Sequence, residues 1–395
     1  MWLRRLEVTD FRSWQQATVE LQPGVTVLVG ANAQGKTNLL EAVHRVALGS
    51  SHRVSGDRPL VREGAERALV RLEAVTDGDR RRELAVEIVP SGRSRTRLDG
   101  QGVRRATDAL GVIRLVMFAP EDLALVRGDP SDRRRFLDDV LAQRRPAYGA
   151  TRSEYERAVR QRNQLLKQRR SLAPSAQGRA DETLASWTEQ LITHGAALVA
   201  ARAAAIEALR GPVAARYAQL ADQPDPIELV YLPGGLADED ETGASPVDWR
   251  DLGTVTAAMH AAVDRLADDE RRRAVTLVGP HRDDLACSIG GLPARTHSSQ
   301  GEAWSLALAL RLASWEILAE VGDRPLVCLD DVFSELDETR RRHLAEACAD
   351  WEQVLVTAAV ESDVPLRGRW IDITTSGGTS ALQPREEGPD LRAVP

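Results

Sequence analysis

The ten residues 29–38, VGANAQGKTN, decide the fold. Gly30, Gly35, Lys36 and Thr37 stand in the spacing G-x4-G-K-T, after the apolar run VTVLVG and before the helix-like LLEAVHRVAL. A phosphate loop needs that order of strand, loop and helix. Its backbone N–H groups cradle phosphates, its lysine reaches their oxygens, and its hydroxyl meets a divalent cation. Gly30, Ala31, Asn32, Ala33, Gln34, Gly35, Lys36, Thr37 and Asn38 are therefore the candidate nucleotide-binding set. Ala33 occupies a position where related loops often carry glycine, and its Cβ costs about 1 kcal/mol if the backbone needs a positive φ there. Only Lys36 and Lys167 are lysines among 52 basic residues. In so arginine-rich a chain, the loop lysine reads as required, because a compact ammonium reaches phosphate oxygens where a broad guanidinium fits poorly.

The chain has 395 residues, 43% of them hydrophobic, enough for two or three domains with a substantial core. No signal-like segment precedes the first strand, and the apolar run LALALRLASWEILAE is broken by Arg311 and Glu316, so a cytosolic protein without a membrane span is expected. Cys287, Cys328 and Cys348 have no paired spacing for zinc or a disulfide framework. The net charge of −7 argues against a surface that coats nucleic acid throughout, which leaves local basic patches to consider.

Apolar patterning places strands in 1–30 and again from about 66 to 118, with a helix over 38–48. Asp129 and Pro130 read as the cap and first turn of another helix. Leu184, Trp187, Leu191, Leu198, Ala201, Ala205 and Leu209 recur at helical steps, as a bundle core would. Residues 171–182 read as a loop and LADEDETGASP as an exposed acidic linker. The fold class is thus α/β, a P-loop ATPase head with a mixed sheet in two sequence halves, 1–130 and 272–375. A mostly helical insertion is expected over 131–271 and a disordered tail over 376–395.

Two further stretches narrow the phosphate chemistry. In LVCLDDVFSELDETRR, an apolar strand delivers Asp330 and Asp331 to its carboxyl end, where open α/β sheets place ligands. Asp330 suits Mg²⁺ together with Thr37, and Asp331 suits the attacking water. In HSSQGEAWSLALALRL, Ser299 and Gly301 open a long helix whose N-terminus can receive an anion, with Glu302 in its first turn. A second anion site in a chain that already has a phosphate loop makes sense if it caps the γ-phosphate held by another subunit.

With these residues in place, the sequence resembles the ABC-type ATPase heads: a phosphate loop, a signature SQGE, an acidic strand, and SELD at Ser334 to Asp337 as the D-loop. Within that class it is similar to the RecF family of bacterial recombination mediators, related to Rad50 and SMC heads. LEVTDFRSW, GANAQGKTNLLEA, FAPEDLALVRGDPSDRRRFLD, GPHRDDL and LDDVFSELDETRR carry the likeness. The interval from Thr37 to Ser299 is longer than in transporter subunits and much shorter than in coiled-coil SMC proteins. The resemblance implies ATP and Mg²⁺ as cofactors, an ATP-dependent homodimer with a weak DNA-stimulated ATPase, and DNA as partner. It also implies RecR and RecO as partners, and roles in repair of gapped DNA, replication and the SOS response.

Arg12 resembles an arginine that approaches the nucleotide in related heads, a solvated turn being the equal alternative. His281, Arg282 and Asp283 match a family block, as a nucleotide contact or a structural ion pair. Two arginine patches are candidates for DNA, one at Arg53, Arg58 and Arg62, the other at Arg160, Arg162 and Lys167. Where transporter ATPases carry a switch histidine, this chain reads VLVTAAVESD, which points to slow hydrolysis. A transport-type ATPase subunit and a nucleotide-gated scaffold with negligible turnover are the rival readings.

Overall fold

The computed structural model describes residues 1–171, 174–221, 225–236 and 247–385. The chain opens with β1 (Trp2–Phe11) and β2 (Trp14–Glu20). Next, β3 (Gly24–Val29) runs into the phosphate loop and α1 (Lys36–Leu48). β4 (Ala68–Thr76), β5 (Arg80–Ile88), β6 (Arg95–Leu98), β7 (Gln101–Gly102) and β8 (Leu115–Phe118) follow. A helical stretch comes next: α2 (Ala124–Arg127), α3 (Pro130–Arg144), α4 (Pro146–Ser171) and α5 (Pro174–Leu220). After β9 (Ile227–Leu232) and α6 (Leu252–Arg273) come β10 (Asp284–Ile289), β11 (Leu292–Pro293) and α7 (Ala294–His297). α8 (Gln300–Ala319), β12 (Leu326–Asp330), α9 (Glu338–Ala349), β13 (Gln353–Ala358), β14 (Arg369–Ser376) and β15 (Thr379–Pro384) complete the chain.

Two compact units divide these elements. Met1–Leu123, Pro212–Asp225 and Ser299–Pro395 form the first, and Ala124–Gly211 with Pro226–Ser298 the second. The first unit holds two six-stranded sheets. One has the order β2-β1-β4-β5-β6-β7 with every pairing antiparallel. Its strands alternate: along β4, Ala68, Val70, Leu72 and Ala74 are buried while Leu69, Arg71 and Glu73 face outward. The other has the order β15-β14-β3-β13-β12-β8, parallel except for β15. All five residues of β12 are buried, the pattern of a parallel strand covered on both faces. Leu39, Leu40, Val43 and Val46 of α1 join a single core with residues from both sheets.

Several boundaries differ from the expected ones: the first half of the head ends at Leu123 rather than at 130, and Pro212–Asp225, expected within the insertion, belong to the head unit. The second unit is not purely helical: β9 pairs with β10 from Asp284↔Leu232 to Ile289↔Ile227, and β11 extends the sheet. That pairing keeps 274–298 with the insertion, so the head resumes at Ser299. Residues 174–182, expected as loop, belong to α5. Residues 376–384 are not tail, because β15 pairs with β14 from Ile371↔Pro384 to Ser376↔Thr379. Residues 237–246 of the acidic stretch and 386–395 of the tail lie outside the described residues. Within α5, Asp181–Leu220 is long and apolar enough to cross a membrane by length and composition, and Leu191, Val199 and Leu209 on it are buried in the protein.

Candidate nucleotide site

The phosphate loop is shaped by its surroundings as much as by its own residues. Gly35 adopts a φ of 100°, and a Cβ there would stand 2.5 Å from Ser380 Oγ and 2.7 Å from Ser13 Oγ. Trp14 Nε1 donates to the Gly35 carbonyl at 3.0 Å, Ser380 Oγ donates to the Gln34 carbonyl at 2.7 Å, and Asn38 Nδ2 donates to Ser13 Oγ at 2.9 Å. Ala33 has a φ of 66°, so this chain places a Cβ in the left-handed region where glycine is usual.

Lys36 Nζ donates to the carbonyls of Gly30 at 2.7 Å and Ala31 at 2.9 Å. Burial lowers its pKa, with the carboxylates of Asp331 and Asp330 opposing that shift. The sheet order sets β13 between β3 and β12, and β13 supplies a residue that sequence reading missed. Thr357 Oγ1 donates to Asp330 Oδ1 at 2.6 Å and accepts from the Asp331 N–H at 2.9 Å. Thr37 Oγ1 donates to the same Asp330 Oδ1 at 2.8 Å. Burial raises the Asp330 pKa, and the bonds from Thr357 and Thr37 offset part of that rise. Asp331 turns the chain at the end of β12 with a φ of 52°, a left-handed conformation of the kind stored at functional sites.

Thr37 and Asp330 form an all-oxygen pair, the donor chemistry a hard cation takes when phosphates supply its other ligands. Buried polar atoms without a hydrogen-bond partner include Gln34 Oε1 in the loop and both ring nitrogens of His52, whose Nε2 is 3.9 Å from Asp330 Oδ2. The residues present thus fit a nucleotide with Mg²⁺, which Thr37 and Asp330 would hold. Among the described residues no group of three or more His, Cys, Asp or Glu is placed to hold a metal without a ligand's help.

Arg12 is not a solvated turn. Its guanidinium forks onto Glu41 at 2.8 and 2.7 Å, and Glu41 is fully buried in α1. Ser51 Oγ donates to the same carboxylate at 2.6 Å, and Arg53 lies 3.6 Å from it. Helix α1 thus spends a buried acid on fixing the segments that flank the loop.

Ser299 caps α8: its Oγ accepts from the Glu302 N–H at 3.3 Å, and Glu302 accepts from the Ser299 N–H at 2.7 Å. That is a capping box, and it lowers the Glu302 pKa. Gly301 faces Arg340, whose terminal nitrogen would be 3.1 Å from a Cβ at that position. Arg340 also donates to Ser305 Oγ at 2.8 Å and pairs with Asp337, the N-cap of α9. Signature and D-loop are therefore tied together within one chain. Ser334 Oγ donates to the Asp331 carbonyl at 2.7 Å, which links the D-loop to the acidic strand end.

The DNA candidates separate. Arg162 is 3% exposed, donates to Glu270 at 2.5 Å and to the hydroxyls of Thr188 and Thr276 at 3.0 Å each, and is a buried structural arginine of the second unit. It is removed from the surface set, because a helical charge run shows neither which face is covered nor where a buried acid waits. Arg160 and Lys167 are exposed, as are Arg53 and Arg58, and Arg62 is half-buried 3.7 Å from Asp10. Asp283 is buried and structural: it accepts from Arg202 at 2.9 Å, from Tyr231, and from the Gly234 N–H at 2.8 Å. His281 Nδ1 meets Tyr155 Oη at 2.6 Å, and Arg282 Nε donates to the Thr276 carbonyl at 3.1 Å, both within the second unit.

A sheet that brings the hydroxyl of a phosphate loop onto a buried aspartate, in the unit that also carries the capped signature helix, is the arrangement of an ABC-type ATPase head. The family described as "RecF/RecN/SMC N terminal domain" matches residues 2–379. This chain belongs to the RecF family. It is 48% identical over 386 residues to the DNA replication and repair protein RecF of Kineococcus radiotolerans, covering 94% of this chain and 97% of that one. It is 46% identical over 376 residues to the protein of the same name from Acidothermus cellulolyticus, with the same coverage. A solved structure of the recombination mediator protein RecF with ATP, in the RecFOR pathway, is similar with a TM-score of 0.85 at 26% identity, over 97% of each chain. An Smc head from Pyrococcus furiosus is similar in fold, with a TM-score of 0.54 at 17% identity over 97% of this chain and 96% of that one.

Proposed function

We propose that this chain is a cytoplasmic ATP-dependent DNA-binding protein that acts in recombinational repair of gapped DNA, in DNA replication and in the SOS response. The observation that carries the reading is the 2.8 Å bond from Thr37 to the buried Asp330 beside Lys36, in a chain whose RecF relatives are named for replication and repair. ATP bound with Mg²⁺ supplies a phosphoryl group and its charge. Lys36 exchanges its carbonyl partners for phosphate oxygens, while the backbone N–H groups from Ala31 to Asn38 hold the chain of phosphates. Asp331, beside the cation ligand, orients the attacking water.

Two heads close on ATP. The free N–H groups at the start of α8, with Ser299 and Gly301, face the γ-phosphate held by the partner head, and Glu302 keeps that helix start in register. Closure forms a clamp on DNA, and turnover is slow because Thr357 and the residues after it include no histidine to sense the γ-phosphate. The RecFOR context of the solved relative supports RecR and RecO as partners. The RecF likeness over most of the chain favours this reading over a transport subunit. The test is mass in solution with and without ATP and gapped DNA. The unaltered chain should dimerise with ATP, and Lys36→Ala, folded, should neither bind micromolar ATP nor dimerise. Equal ATP affinity in the two proteins would overturn the assignment of the loop.

A further inference from the structure

Strands β6 and β7 are joined by Asp99 and Gly100, whose φ values of 49° and 79° are both left-handed, as a tight hairpin turn of matching twist requires. Arg95 and Arg97 are both exposed on one face of β6, about 7 Å apart along the strand. The return segment stays alongside, since the Val103 N–H donates to the Thr96 carbonyl at 3.0 Å, and it carries the exposed Arg104. With Arg93 these side chains line an open groove of about 830 Å³, to which Gly100 and Gly102 contribute backbone. No acidic or aromatic residue lines it.

The neighbouring acids are already engaged. Asp99 accepts from Arg82 Nε and from the Glu83 N–H, both at 2.9 Å. Glu87, opposite Arg95 on β5, accepts from Arg67 at 2.7 Å. Several arginines singled out by charge patterning are likewise used within the chain: Arg53 by Asn38 and Glu41, Arg62 by Asp10, Arg160 by Glu156, and Arg162 by Glu270. Arg93, Arg95, Arg97 and Arg104 are thus gathered around one groove at the hairpin, in a chain whose net charge is −7.

Resting on the DNA-binding reading above, we propose that the β6–β7 hairpin docks the phosphate backbone of nucleic acid, with Arg95, Arg97 and Arg104 each taking a phosphate. Guanidinium groups bind phosphate with two parallel hydrogen bonds, and the glycines that line the groove carry no side chain to block close approach. The lack of aromatics excludes base stacking here, and the lack of large apolar anchors disfavours a folded protein partner. Binding is accordingly independent of base sequence.

The test uses the full chain with ATP, a labelled gapped duplex and a series of salt concentrations. A variant with Arg95→Gln, Arg97→Gln and Arg104→Gln should lose at least about tenfold in affinity at low salt, and its log–log salt slope should shrink by up to about 2.7, from about 0.9 per phosphate contact. Lysine at the same three positions should keep the slope, and ATP affinity should be unchanged in both variants because none of the three touches the phosphate loop. If the unaltered chain binds the duplex and the glutamine variant matches it in affinity and slope, the hairpin site is wrong and the DNA reading stands. If the unaltered chain does not bind the duplex, both fail. Loss of polyglutamate binding with DNA binding retained would assign the groove to an acidic protein segment and overturn the proposal.

Discussion

Ala33, at a φ of 66°, keeps a side chain in a conformation that costs an L-residue roughly 1 kcal/mol, inside the loop that must hold phosphates. Ala33→Gly should raise stability by about 0.5–1 kcal/mol in chemical denaturation, and an unchanged or lower midpoint would show that the loop carries no such strain. His44 gives the chain a pH dependence. Burial first, then the neighbouring His52 and the charge of Arg311, push its pKa down to about 3; Glu41 and the bond at Nδ1 to the Ser50 carbonyl pull the other way. The folded ring stays neutral down to about pH 3, whereas the unfolded chain takes up this proton near pH 6.5. Stability from His44 is thus complete above the unfolded pKa and falls as pH drops from there towards 3. Over pH 7 to 5 the loss amounts to about 2 kcal/mol, which His44→Gln should remove. Parallel stability–pH curves for the two proteins would contradict the buried, neutral ring.

At the scale of elements, β15 shows how an edge hairpin serves a loop far away in sequence. The Ser380 N–H donates to the Ser13 carbonyl at 3.0 Å, and Ser380 Oγ donates to the Gln34 carbonyl at 2.7 Å and is hydrogen-bonded with Ser13 Oγ at 2.8 Å. The hairpin therefore holds the phosphate loop through Ser13 and the Gln34 carbonyl. Ser380→Ala removes both of these side-chain bonds, each worth about 1 kcal/mol, and should weaken ATP binding by at least about fivefold by calorimetry. An affinity equal to that of the unaltered chain would show that the loop holds its shape alone. Helix α8 is also fixed at its start, by the Ser299 and Glu302 capping box and by Arg340 beneath Gly301. A serine N-cap of this kind stabilises its own helix, so the capping geometry alone does not distinguish a signature from an ordinary helix start.

The distinction is made at the scale of the whole molecule, where the function proposed needs two heads. Ser299→Arg places a bulky cation at the start of α8, so ATP should still bind to the phosphate loop of each chain while the mass in solution stays that of a monomer. Asp331→Asn leaves Asp330 in place and removes the carboxylate proposed to orient the attacking water, so the closed dimer should accumulate with ATP. Normal ATP-dependent dimerisation of Ser299→Arg would refute the role of the signature across two subunits.

Much of the head was legible in short stretches. The spacing of Gly30, Gly35, Lys36 and Thr37, the apolar run ending in Asp330 and Asp331, and the serine-capped start of α8 are contiguous patterns, and local sterics and capping chemistry suffice to read them. The same patterns misplaced residues 376–384 and Arg162. A strand rich in Ser, Thr and Ala at the end of a chain looks like tail until β14 lies beside it, and an arginine in a basic run looks solvated until Glu270 is buried against it. Thr357, Ser380 and Glu41 had no local signal at all. Each acts on a residue far from it in the chain, through sheet order or through the packing of α1. The sequence by itself determined which phosphate chemistry this protein carries, because that chemistry depends on residue types at fixed short spacings. Only the tertiary structure decided which polar groups support it and which arginines are left facing water, because buried charge and strand pairing are settled between segments distant in the chain.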